Sequence, residues 1–167
     1  MRAAVVPGAL ALLPQYAGLI DPIAELRLAC QEAVAWLVEE GPTAIKVLGD
    51  TRIAQALLPG CEMGSEGEVL LVIASGTARR NERAPGHFDE RALGFDEALG
   101  AALTAGDAEA LGSIDETLAD ELLATGIPGL KSLALLGCVQ AKTWYDDDPY
   151  GVQYWVVTWT LKSSPTG

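Results

Sequence analysis

Val69-Leu70-Leu71-Val72-Ile73-Ala74 runs straight into Ser75-Gly76-Thr77-Ala78-Arg79-Arg80-Asn81-Glu82-Arg83-Ala84-Pro85-Gly86-His87-Phe88-Asp89. Six consecutive apolar residues suit a strand buried on both faces, the position of a central strand in a parallel sheet. The segment that follows is polar and punctuated by glycine and proline. Open α/β sheets place their sites in such segments, at the carboxyl ends of strands. This one carries three of the eleven basic side chains and the only histidine, in a chain of net charge -12.

The flanking sequence agrees with that fold class. Arg2-Ala3-Ala4-Val5-Val6 reads as a first strand and residues 7–18 as its exit loop, broken by proline and glycine. Asp21 with Pro22 is a helix start signal. Ile23, Leu26, Ala29, Cys30, Ala33, Val34 and Leu37 then recur at helical spacing up to Glu40, and Gly41-Pro42 stops the run. Residues 43–48 read as a second strand, parallel to the first if the helix is a crossover. A short helix is expected over 51–58, and a mobile loop over the Gly-, Glu- and Ser-rich stretch 59–68. Beyond the arginine-rich segment, residues 90–104 form a helix, and 107–111, 115–125 and 128–137 form three more, each opened by aspartate or proline. Ser113 and Glu116 have the spacing of a capping box. The aromatic, β-branched runs 141–145 and 151–161 flank Asp146-Asp147-Asp148-Pro149-Tyr150 and predict an antiparallel hairpin. The expected architecture is α/β: one domain over residues 1–162, with a mainly parallel central sheet flanked by helices, a C-terminal antiparallel hairpin, and a frayed tail over 163–167.

Composition narrows the function classes. At 167 residues and 50% hydrophobic content the chain can bury a core of its own. A pI near 4.3 argues against nucleic acid and against anionic membrane surfaces, both of which need a concentrated basic face. Cys30, Cys61 and Cys138 are odd in number and lack a CxxC spacing, so neither a disulfide framework nor a zinc ribbon is expected. No apolar run reaches the roughly 18 residues of a membrane span. Pro7 and Gly8 interrupt the apolar start, which reads as a strand rather than a signal peptide. A reduced, cytoplasmic setting is expected.

Four groups of residues could carry chemistry. Arg79, Arg80 and Arg83 offer planar donor forks for a carboxylate or phosphate, and Ser75, Gly76 and Thr77 could add backbone N–H donors at the strand end. The alternative is that these arginines pair with Glu82, Asp89 and Glu90. His87 with Asp89 could act as a general base held by a carboxylate, or His87 is an ordinary loop histidine. Asp146, Asp147 and Asp148 could hold a hard cation, or form a solvated turn. Ser75 lies in Ala-Ser-Gly rather than the Gly-x-Ser-x-Gly elbow of serine hydrolases. No dinucleotide fingerprint or P-loop occurs.

Residues 76–89, Phe95-Asp96, and the ending Tyr145-Asp146-Asp147-Asp148-Pro149-Tyr150-Gly151-Val152 resemble an actinobacterial group of class III extradiol dioxygenase-like (LigB-like) proteins. The likeness is good over 69–159 and weaker over 2–48. It implies an α/β fold with a largely parallel sheet. Active members of that family hold non-haem Fe(II) with two histidines and a carboxylate and cleave catechol rings with O₂. At the two histidine positions this sequence has Gly8 and Arg80. The resemblance therefore implies a dioxygenase scaffold without iron, with no cofactor and no metal residues. Arg80 would then offer a fixed cation where iron meets an anionic substrate.

Three functions follow as expectations. One is a metal-free, non-catalytic LigB-like protein that binds a small anion or a protein partner through Ser75, Gly76, Thr77, Arg79, Arg80, Arg83 and His87. Another is an enzyme of altered chemistry in the same pocket, with His87 and Asp89 in proton transfer. The last is a structural or assembly protein that forms a homodimer through the aromatic hairpin.

Overall fold

The 69–74 run does form the centre of the sheet. In the computed structural model, which describes residues 1–9, 12 and 23–162, β4 is Val69–Ile73 and all five of its residues are buried. It lies between β1 (Arg2–Val6) and β2 (Ile45–Leu48) and is parallel to both, with Ala3 opposite Leu70 and Ile45 opposite Val69. With β3 (Met63–Gly64), β5 (Cys138–Asp147) and β6 (Tyr154–Leu161), the six strands among the described residues run in the order β3-β2-β4-β1-β6-β5. The first four are parallel. β6 pairs antiparallel with β1, and β5 pairs antiparallel with β6 on the outer edge.

Alternation along the central strands feeds two cores. Ala3, Val5, Leu70 and Val72 face α3 (Arg91–Ala105), whose buried stripe includes Ala92, Phe95, Leu99 and Leu103. Ala4, Val6, Leu71 and Ile73 face α1 (Ala24–Leu37), which buries Leu26, Ala29, Cys30, Ala33, Val34 and Leu37. The helical spacing in the sequence is thus the packing face of α1. The chain leaves β1 toward α1 on one face and leaves the neighbouring β4 toward α3 on the other. That divergence makes the carboxyl ends of β1 and β4 a topological switch point, where open α/β sheets accept ligands.

Several boundaries differ from expectation for local reasons. The 59–68 stretch contains a two-residue strand, β3 (Met63–Gly64), which pairs with Ile45 and Lys46 of β2. The carboxylate of Glu68 then accepts from the Thr43 backbone N–H at 3.0 Å and from its hydroxyl at 2.5 Å. Helix α2 (Thr51–Leu57) starts at Asp50, which accepts from the Arg52 N–H. The 107–111 helix is α4 (Ala108–Gly112), capped by Asp107. The 115–125 helix is shorter, as α5 (Glu116–Glu121), because Leu123 turns to φ 62 and Thr125 crosses over to bridge Ser75. Ser113 forms no capping box. Its hydroxyl donates to the Glu109 carbonyl, while Asp115 takes the Thr117 and Leu118 N–H groups. α6 (Ile127–Leu136) carries Pro128 in its first turn and leads into β5. The hairpin strand is longer than expected, so Asp146 and Asp147 lie in β5 rather than in the turn. The Asp21-Pro22 start signal, most of the 7–18 loop and the 163–167 tail lie outside the described residues.

Candidate functional site

Each residue after β4 is placed by a backbone tie. Ser75 exchanges N–H···O bonds with Thr125, and its hydroxyl accepts from the Gly8 N–H at 2.9 Å, joining the ends of β1 and β4. Gly76 donates its N–H to the Gln153 carbonyl. A Cβ there would lie 2.6 Å from both an Asp96 oxygen and the Gln153 Cβ, so only glycine fits. Thr77 is fully buried. Its N–H and hydroxyl both donate to the carboxylate of Asp96, at 2.9 and 2.6 Å.

Asp96 is the residue around which this segment is organised. It lies on the buried stripe of α3, one turn after Ala92, and its side chain is 2% exposed. Besides the two Thr77 donors it accepts from Arg80 Nη1 at 2.8 Å. Arg80 Nε reaches Asp148 in the hairpin loop at 2.7 Å. Burial works against the Arg80 charge, but the hydrogen bonds to Asp96 and Asp148 outweigh it and hold the guanidinium above its ordinary pKa. Arg80 is therefore a fixed cation, clamped by two carboxylates that stand 16 and 68 positions away in the chain. Its Nη2 has no partner among the described residues.

The other candidates do not converge on Arg80. Arg79 donates Nη1 to the Gly86 carbonyl, and its Nε is buried without a partner among the described residues. Arg83 is exposed, and only its backbone N–H is engaged, by Asn81. His87 is exposed at φ 63 and makes no side-chain hydrogen bond among the described residues. Asp89 does not hold it. Its carboxylate accepts from Arg91 Nε, Nη2 and N–H, and these bonds pull its pKa down to about 2. Asp146, Asp147 and Asp148 bind apart: Asp146 accepts from Gln153 Nε2 at 2.6 Å, Asp147 from the Asp148 N–H, and Asp148 from Arg80. Among the described residues, no three metal-binding side chains are grouped. Gly8 and Arg80 do not fit iron, since one has no side-chain ligand and the other is a cation already paired with carboxylates.

What the segment borders is a recess of about 420 Å³ between α3 and the hairpin. Arg80, Asp96, Glu97, Asp146, Gln153 and Trp155 line its polar side, and Leu93 and Ala101 its mouth. Trp155 is 2% exposed and packs its indole against Gly100, where a Cβ would sit 3.0 Å from Nε1. The N–H at that Nε1 makes no hydrogen bond among the described residues, unlike those of Trp144 (to Thr158) and Trp159 (to the Leu103 carbonyl). Sequence reasoning found Arg80 but missed Asp96 and Trp155. A lone aspartate on an apolar helical stripe was the available signal for the first. Nothing local marked the second among four tryptophans. No protein-family model and no curated protein matches the chain.

Proposed function

We propose that the chain is a non-catalytic ligand-binding domain, an extradiol-dioxygenase-like scaffold without an iron site, whose ligand occupies the recess between α3 and the hairpin. The observation that carries this reading is that two residues of the recess lining hold donors without a protein partner among the described residues, Trp155 Nε1–H and Arg80 Nη2. The indole N–H of Trp155 opens onto the recess, where a ligand oxygen can replace the water that reaches it. Against catalysis stand the separation of His87 from Asp89 and the commitment of Arg80 to two carboxylates. The test joins metal analysis of the purified chain to a thermal-shift screen of small polar molecules, repeated on Ala101→Trp, which fills the mouth of the recess. Stabilisation of the native chain that the variant loses supports the reading. Stoichiometric iron with ring cleavage of a catechol overturns it.

A second reading, pairing of two copies through the hairpin, has its own observation. β5 is an edge strand; its Val139 is 68% exposed, and Leu135 at the end of α6 is 89% exposed. Lys142 and Asp147 stand opposite Thr158 and Tyr154 in the β5–β6 register. Antiparallel pairing about Trp144 and Tyr145 would set each lysine against the other copy's aspartate. Sedimentation equilibrium tests it: a dimer weakened by Lys142→Glu and restored by adding Asp147→Lys supports the pairing, and a monomer at all concentrations excludes it.

A further inference from the structure

Resting on the recess as a binding site, we infer that its ligand is a small zwitterion, a molecule with a carboxylate and an ammonium joined by a short apolar stem. Trp155 is almost fully buried, its indole N–H is unpartnered among the described residues, and it lines the recess. A ligand oxygen that reaches this N–H from the recess would take the place of water. Arg80 lines the same recess with its Nη2 unfilled among the described residues, and a planar guanidinium suits a carboxylate.

A simple anion does not fit this surround. Arg80 is the one cation of the described lining, and Asp96, Glu97 and Asp146 are carboxylates, with Asp148 directly behind on Arg80. An incoming negative charge thus meets an excess of negative charge. Glu97 is exposed and makes no ion pair or side-chain hydrogen bond among the described residues. With Asp146 it offers the acceptors that an ammonium group needs. Leu93 and Ala101 give the stem an apolar wall. The carboxylate end is directed by Trp155 and Arg80, and the ammonium end by Glu97 and Asp146.

The experiment is calorimetric titration of the full chain with glycine, 4-aminobutyrate and 6-aminohexanoate, with butyrate and butylamine as single-charge controls. At least one zwitterion is expected to bind roughly tenfold tighter than either control, and Glu97→Gln with Asp146→Asn is expected to abolish that margin. Both substitutions are on exposed side chains, so folding does not decide the result. Trp155→Phe, checked for native circular dichroism, is expected to weaken the zwitterion while leaving butylamine unchanged. Butyrate binding as tightly as every zwitterion overturns the ligand class and leaves the recess as a site. Zwitterion binding that persists in Ala101→Trp overturns the recess itself. If none of the probes binds while other small molecules stabilise the native chain but not Ala101→Trp, only the zwitterion class fails.

Discussion

Arg80 and Asp96 form one arrangement, and its two ends differ in value because they differ in exposure. Asp96 is withdrawn from water and receives three donors, whereas Asp148 is 35% exposed and receives one side-chain donor. Removing Asp96 strands both a largely buried arginine and the Thr77 donors, and breaking a buried pair costs about 3 kcal/mol. Removing Asp148 leaves Arg80 held at Nη1, and a pair this close to solvent is worth about 1 kcal/mol or less. Urea denaturation should therefore rank Asp96→Ala well below Asp148→Ala in stability; equal losses would refute the assignment of Asp96 as the organising residue. Asp89 gives a pH counterpart. Its carboxyl is held at about 2 rather than 3.8 by Arg91, so the favourable contact is complete above the unfolded value and disappears as pH falls through about 2. A carboxyl ¹³C titration should place its midpoint near the lower figure, and Arg91→Ala should return it toward the ordinary value. The sequence displayed the arginines of this site but not their partners. A carboxylate 16 positions away on the next helix, and another in the hairpin, are brought to Arg80 by the fold and not by spacing.

At the scale of elements, the helix starts show how two local signals compete. Ser113 and Glu116 have the spacing of a capping box, yet Asp115 stands closer to the first turn of α5 and takes two of its free N–H groups. Asp115→Ala should cost about 1 kcal/mol, whereas Ser113→Ala, which loses only a bond to the Glu109 carbonyl, should stay within roughly 0.5 kcal/mol. Reversal of that order in thermal denaturation would restore the capping box. The long periodic elements were readable for a physical reason: α1 and β4 bury whole faces, and burial imposes a pattern on the sequence. β3 was not readable because its two residues owe their conformation to β2 rather than to any preference of a Gly- and Glu-rich stretch. The early end of α5 is of the same kind, since the bridge between Thr125 and Ser75 is a tertiary contact.

The sheet joins its two cores through shared strands, so the molecule should open as one cooperative unit, and the three cysteines can report on that. Cys30 is fully buried in the core beneath α1, where burial pushes its thiol up to about 12. Cys138 is half-buried at the start of β5 beside the other core, and burial raises its thiol as well. Cys61 is exposed ahead of β3. The thiolate is the species that reacts, so access and protonation act in the same direction for Cys30. Under native conditions a disulfide reagent should modify Cys61 at once, Cys138 slowly, and Cys30 only in the small fraction of molecules that are open at any moment. α1 packs on the residues of β1 and β4 that alternate with those beneath α3. Releasing Cys30 therefore requires stripping one face of strands whose other face is still packed. The free energy obtained from Cys30 labelling should accordingly equal that from urea denaturation. If Cys30 instead reacts at a lower free energy, α1 peels from the sheet as a separate unit, and the two cores are not one cooperative structure.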